Sequence, residues 1–123
     1  MNRRGLLGTT LILALLWWKR VLAVPPPSVQ AEVDSLLAGV EASGCLFYRN
    51  GSWHDSKAAV AHLRGKYDYL SARNLIITTE DFIERAATQS SLSGQSYEVK
   101  CGDSVVVTSN RWLRARLARL RAP

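Results

Sequence analysis

The residues from Gly5 to Trp18 form a run of 14 without a charge, closed by Arg3 and Arg4 on one side and by Lys19 and Arg20 on the other. A helix crossing the hydrocarbon core of a bilayer needs about 20 apolar residues, whereas the apolar part of a secretion signal needs about 7 to 15. The run fits the second class, and Val21-Leu22-Ala23 places small or branched side chains where signal peptidase reads them. The expectation is a signal peptide over residues 1–23, cleaved after Ala23, which leaves 100 of the 123 residues to fold. That length allows a single domain. Asn2-Arg3-Arg4-Gly5-Leu6-Leu7 also fits a twin-arginine signal, with Lys19 and Arg20 as the basic residues that discourage the general secretory route. An uncleaved anchor would have to bury Lys19 and Arg20. Both export routes make the product periplasmic or secreted.

The export reading changes what the net charge means. The chain carries 16 basic and 10 acidic residues, a charge of +6, and the expected signal holds four of the basic residues and no acid. The remainder has 12 basic against 10 acidic residues, of which residues 111–123 contribute five arginines and no acid. Nucleic acid is therefore not expected as a partner, since a polyanion site needs the excess on the folded part. The basic C-terminal stretch is expected to dock on the acidic remainder of the molecule. Weak contact with an anionic membrane surface is the alternative.

Cys45 and Cys101 are the only cysteines. In an exported domain an even pair normally forms a bridge, and a loop of this length stabilises the fold by about 4 kcal/mol on the chain-entropy view. No Cys-x-x-Cys spacing points to redox catalysis.

Hydrophobic residues make up 47% of the chain and charged residues 21%, enough apolar surface for a packed core. Val24 to Pro27 read as a stiff proline-rich spacer, and residues 28–123 as the domain. Ser28 is expected to cap a helix with Val29, Val33, Leu36, Leu37 and Val40 on one stripe, ending at Gly44, with Glu32, Asp34 and Glu41 on a solvated face. Asn50-Gly51 between two short β-rich runs is a hairpin signal, and a two-residue turn sets Tyr48 opposite Trp53. Asp55 caps the next helix, which turns Ala59, Val60, Leu63, Tyr67 and Leu70 inward and leaves His62 at the border. Thr78 and Asp81 form a capping box, with Ile77 stapled onto Phe82. After the polar stretch from Thr88 to Ser96, Tyr97, Val99 and Cys101 alternate as a strand that turns at Gly102-Asp103 into Ser104 to Thr108. Ser109 then caps a helix with Trp112, Leu113, Leu117 and Leu120 on one side and Arg116 laid along it. The order α-ββ-α-α-ββ-α predicts an α+β fold in which two β-hairpins form an antiparallel sheet packed by about four helices.

Four segments, Phe47-Tyr48-Arg49-Asn50-Gly51, His62-Leu63-Arg64-Gly65-Lys66-Tyr67, Thr79-Glu80-Asp81-Phe82-Ile83 and Ser90 to Tyr97, resemble in the same order the YfeK-like family of small exported bacterial proteins. The resemblance covers about residues 29–100 and implies export and a shared fold. It supplies no catalytic residue, and the cysteine pair is not part of its pattern.

The stretch Ser90 to Tyr97 offers several hydroxyls and a glycine, so Ser90, Ser91, Ser93, Gly94 and Tyr97, with His62, are the candidate ligand-binding residues of a non-catalytic binding or envelope-interaction module. The partner class is an envelope protein or a small ligand. One alternative is a small serine hydrolase with Ser91 or Ser93 served by His62 and Glu80, although the Gly-x-Ser-x-Gly and Ser-x-x-Lys motifs are absent. Another is an enzyme inhibitor, because Ser93-Gly94-Gln95-Ser96-Tyr97 resembles the Ser-Gly-x-x-Tyr loop of membrane-associated periplasmic lysozyme inhibitors. Those are β-barrels, which the helices read here contradict. No cofactor is expected, nor a metal, with His54 and His62 the only histidines. Intact-mass analysis of the product recovered from its native host should give a chain that begins at Val24 and has no free thiol.

Overall fold

The computed structural model describes residues 25–123, and the expected signal peptide lies outside them. Four helices and four strands follow in the order α1 (Pro27–Ser43), β1 (Leu46–Arg49), β2 (Ser52–His54), α2 (Ser56–Ser71), α3 (Thr79–Ala86), β3 (Glu98–Lys100), β4 (Val107–Thr108) and α4 (Ser109–Arg121). The fold is α+β, with the element order that the sequence predicts. The antiparallel sheet has the order β2-β1-β3-β4, so the first strand of each hairpin lies at its centre.

The β1–β2 hairpin forms as its turn chemistry requires. Asn50 and Gly51 take φ of 50° and 88°, and Tyr48 stands opposite Trp53 with ring centroids 5.4 Å apart. β1 then pairs with β3 through Leu46 with Lys100, Phe47 with Val99 and Tyr48 with Glu98. One position beyond that register, Cys45 and Cys101 are joined by a disulfide. Phe47 and Val99 thus enter the core side by side, where they join Val33, Leu36, Leu37 and Val40 of α1, Leu63 and Tyr67 of α2, Phe82 and Ile83 of α3, and Leu113 and Leu117 of α4.

Several local expectations need correction. Pro26 stands at the N-cap and Pro27 is the first helical residue, so the spacer is shorter than expected and Ser28 lies within the first turn of α1 without capping it. A proline suits that position because the first helical N–H has no acceptor within the helix. At α4 the cap is Thr108, whose hydroxyl accepts from the Arg111 amide at 3.3 Å, while Ser109 is buried as the first helical residue. The capping box of α3 is present, but Ile77 is 58% exposed and Ile76 is the one packed into the core.

The second hairpin is looser than the Gly102-Asp103 signal implies. β4 is only Val107–Thr108, and Val99 pairs with Val107, whereas a two-residue turn would have set it opposite Val106. A shift of one residue reverses which side chains face inward, and here it packs Val107 against the core and leaves Val106 exposed.

The last helix docks through charge as well as through apolar packing. Leu113 and Leu117 are buried, Leu120 is half exposed, and Arg116 stacks on Trp112 with its guanidinium carbon 4.4 Å from the ring centroid. Arg121 donates to Glu32 at 2.8 and 2.9 Å and to Glu80 at 2.8 and 3.1 Å, while Arg114 donates to Glu84 at 2.9 Å. Glu32 also accepts the Thr79 hydroxyl at 2.6 Å, so it is a tie point between α1, α3 and α4 rather than part of a solvated face.

The Arg121 hydrogen bonds, and then that of Thr79, hold the Glu32 carboxyl at about 2 instead of 4.5. Glu80 is lowered by the same arginine. A carboxylate with a depressed folded-state pKa contributes stability that is present above its unfolded value and lost as pH falls through the folded one. Calorimetry between pH 2 and 7 should therefore show a steep acid branch between about 4.5 and 2, and Arg121→Gln should flatten it.

Candidate functional site

Hydrophobic packing delivers a polar cluster to one face of α2. Residues four apart on a helix share a face, which places His62 and Lys66 together, and period two along β1 puts Arg49 on the same side as Phe47. Tyr97 precedes β3 and is fixed through its backbone: its amide donates to Thr88 O at 2.9 Å, and its carbonyl accepts from Ser109 at 2.8 Å. Its ring is buried and its hydroxyl reaches the α2 side chains. Lys66 Nζ donates to the Tyr97 hydroxyl at 3.3 Å and to the Gln89 carbonyl at 3.1 Å, and His62 Nε2 lies 3.0 Å from the same hydroxyl.

Charge fixes the direction of the lysine bonds, and burial sets the charge of the histidine. Burial holds His62 below its ordinary 6.5, reinforced by the charges of Arg49, Lys66 and His54, so the ring is neutral at pH 7. An ammonium can only donate, so Lys66 occupies one acceptor position on the tyrosine oxygen, and the tautomer of His62 sets the direction of the bond between that hydroxyl and Nε2. The hydrogen-bonded chain links Lys66, Tyr97 and His62. Burial also lowers the Lys66 pKa, with Arg49 adding to the effect, and raises that of Tyr97.

Two hollows adjoin this chain, and His62 lines both. The inner one, bounded by Phe47, Arg49, His54, Ala59, Leu63 and Tyr97 among others, has a volume of about 30 Å³, room for a water or two. The outer one is an open groove of about 370 Å³ along α2, lined by Ala61, His62, Gly65, Lys66, Tyr69, Leu70 and Ser91, within the size range of ligand sites. Gly65 lies there with nothing within 4 Å of where a Cβ would stand, so glycine leaves the groove open at a cost in helix stability.

The candidate serines divide. Ser91 lines the groove with His62. Ser90 is buried and its hydroxyl accepts from the Leu92 and Ser93 amides at 3.1 and 3.2 Å, which makes it the clamp of its own turn. Ser93 donates to Asn50 Oδ1 at 2.6 Å and accepts from the Gln95 amide, pinning the loop to the β1–β2 turn, and Gly94 supplies the positive φ of 72°. The hydrolase relay does not assemble: Glu80 is engaged by Arg121, His62 by Tyr97, and Ser93 by Asn50. Of the residues in the inhibitor-like string, Ser93 is exposed but tied to Asn50, and Tyr97 is buried.

Among the described residues no group of three His, Cys, Asp or Glu side chains is placed to hold a metal ion, and no helix is long and apolar enough to cross a membrane. Lys66 and Arg49 were not among the candidates read from the sequence. The four-residue spacing from His62 and the alternation with Phe47 were the signals that could have found them.

Three of the four segments on which the resemblance rests, those holding Arg49, His62 with Lys66, and Ser90 to Tyr97, meet at this cluster. Residues 27–121 match the sequence profile of a family of unknown function, DUF5329. The chain belongs to that family. A curated relative of this DUF5329 chain is the uncharacterized protein YfeK of Salmonella typhimurium, 36% identical over 87 residues that cover 71% of this chain and 68% of the relative. This is the YfeK-like family that the four segments resemble. No solved structure matches the chain.

With its folded-state pKa below the unfolded 6.5, His62 binds fewer protons when folded, so its contribution favours the fold above pH 6.5 and is lost as pH falls toward the folded value. Proton NMR of the imidazole should give a midpoint below 6.5, and Arg49→Gln should raise it by removing a neighbouring charge.

Proposed function

We propose that this DUF5329 protein is an exported, non-catalytic binding module that acts in the periplasm or outside the cell, with the groove along α2 as its ligand face. The observation that carries the reading is the Lys66–Tyr97–His62 chain beside an open groove of about 370 Å³. A few fixed polar groups beside an apolar wall are the usual make-up of a binding site, and they are held here by secondary structure that a ligand need not rearrange. The wall is supplied by Leu70, Ala61 and the face of Tyr69, and Ser91 offers a free edge of the loop.

The disulfide supports an oxidising compartment, since such bonds persist where thiols are not kept reduced. The N-terminal pattern supports the same address. No residue in the cluster is arranged as an activated nucleophile, because the only hydroxyl on His62 belongs to a tyrosine already held by Lys66. The partner is an envelope component, either a protein or a small molecule.

Substitution at Gly65 separates binding from folding. Gly65→Ala has room for its methyl group and should stabilise α2 by about 0.5–1 kcal/mol. Gly65→Leu, which fills the groove, should keep the native circular dichroism spectrum and melt cooperatively while losing ligand capture from a cell-envelope extract. Equal capture by wild type and Gly65→Leu would reject the groove as the binding face.

A further inference from the structure

Most of the arginines on this fold have been given something to satisfy them. Arg64, Arg114 and Arg121 are each ion-paired, Arg73 donates to the Tyr69 carbonyl and stacks on its ring, and Arg116 lies over Trp112. The cluster around Tyr97 differs. Arg49, His62 and Lys66 are half-buried there, with His54 lining the same inner hollow, and among the described residues Arg49 has neither an ion pair nor a side-chain hydrogen bond. The charges that act on His62 are Arg49, Lys66 and His54, and on Lys66 that of Arg49, with no carboxylate among them. The nearby acids are otherwise placed: Asp55 caps α2, and Glu98 alternates with the inward-facing Tyr97 and Val99.

Like charges gathered in a partly desolvated site repel one another, and packing alone gives no reason to hold Arg49 and Lys66 together beside His62. An anion relieves that repulsion and converts the donors into charge-assisted hydrogen bonds. The donor set is mixed: a planar guanidinium, an ammonium and an imidazole that becomes a second cation on protonation.

We infer that Lys66 and His62, which line the α2 groove, hold an oxyanion group, a phosphate or a carboxylate, of the ligand that occupies it, with Arg49 adding its charge from the adjoining inner hollow. This assignment rests on the groove reading and names the chemistry of its occupant. Lys66 and Arg49 supply the fixed charge. His62 is neutral in the empty site and takes up a proton when the anion arrives, so binding strengthens as pH falls. The groups that face the imidazole and set this dependence are Arg49 of β1, His54 of β2, Lys66 of α2 and the Tyr97 hydroxyl. Once the ring is an imidazolium both its nitrogens donate, so the Tyr97 hydroxyl accepts from Nε2 and its own proton points elsewhere.

The test uses the mature disulfide-bonded chain and NMR of the His62 ring, with inorganic phosphate and acetate as separate probes and sodium chloride at matched ionic strength as the control. Saturable shifts with either probe beyond the chloride response, together with a rise of the His62 midpoint, are expected. The probe that saturates at lower concentration identifies which oxyanion the site prefers. Lys66→Gln should weaken binding by about tenfold or more, the cost of one charged hydrogen bond, Arg49→Gln should weaken it by less through the loss of a neighbouring charge, and Arg119→Gln on α4 should change nothing. His62 shifts that follow ionic strength alone, or that persist unchanged in both glutamine variants, would overturn the assignment. If that happens while Gly65→Leu still abolishes capture from envelope extract, the groove reading survives and only its anionic occupant is rejected.

Discussion

The pairing of β1 with β3 is the constraint on which the remainder of the structure depends. Each hairpin is a local object that a few residues can specify, but neither buries enough apolar surface to stand alone in water. Setting Phe47 beside Val99 brings together parts of the chain more than 50 residues apart and joins the sheet to the core that the four helices share. The entropy of closing so long a loop opposes this pairing, and the Cys45–Cys101 bridge at its edge removes that cost from the folding reaction. The same pairing carries Tyr97 to α2, so the candidate site is a consequence of the sheet register and not a separate construction.

Charge is distributed over this frame in two ways. On the α4 side, arginine is used as a fastener: Arg121 spans Glu32 of α1 and Glu80 of α3, and Arg114 reaches Glu84, so the basic C-terminal stretch is matched by acids of the same molecule. Around Tyr97 the balance is broken. Three basic side chains gather there and, among the described residues, no carboxylate is paired with them, while burial and neighbouring positive charge lower the proton affinity of both His62 and Lys66. A fold that neutralises its cations in one place and accumulates them in another differs between the two places in what it leaves for a partner to do.

Much of the fold was legible because its signals are short-range. Asn50-Gly51 set the turn and the Tyr48–Trp53 pair, Asp55 and Thr78 with Asp81 set two helix starts, and the apolar stripe of α1 is buried residue for residue as its spacing requires. The failures came where two neighbours compete for one role. Pro27 pre-empted Ser28 at the start of α1, Thr108 took the cap from Ser109, and Ile76 took the core position expected of Ile77. In the second hairpin the turn at Gly102-Asp103 forms, with the Ser104 amide donating to the Cys101 carbonyl at 3.0 Å, but the chain after it slips by one residue before Val107 pairs with Val99 and packs inward. Of the candidate site, His62, Ser91 and Tyr97 were legible, while Ser90 and Ser93 proved to be the loop's own fastenings.

The amino-acid order by itself determined the element sequence, the α+β class and the pairing of the cysteines, since each follows from contacts between residues close in the chain or from the count of residues of one kind. Only the tertiary structure decided that Arg49, Lys66 and His62 share one tyrosine hydroxyl's surroundings while Glu80, 18 residues from His62, is turned to the opposite task of holding Arg121. The reason is physical. Which charges meet depends on the register of strands and the faces of helices, and those are chosen by the apolar side chains that must be buried, with the polar groups carried along to wherever that burial leaves them.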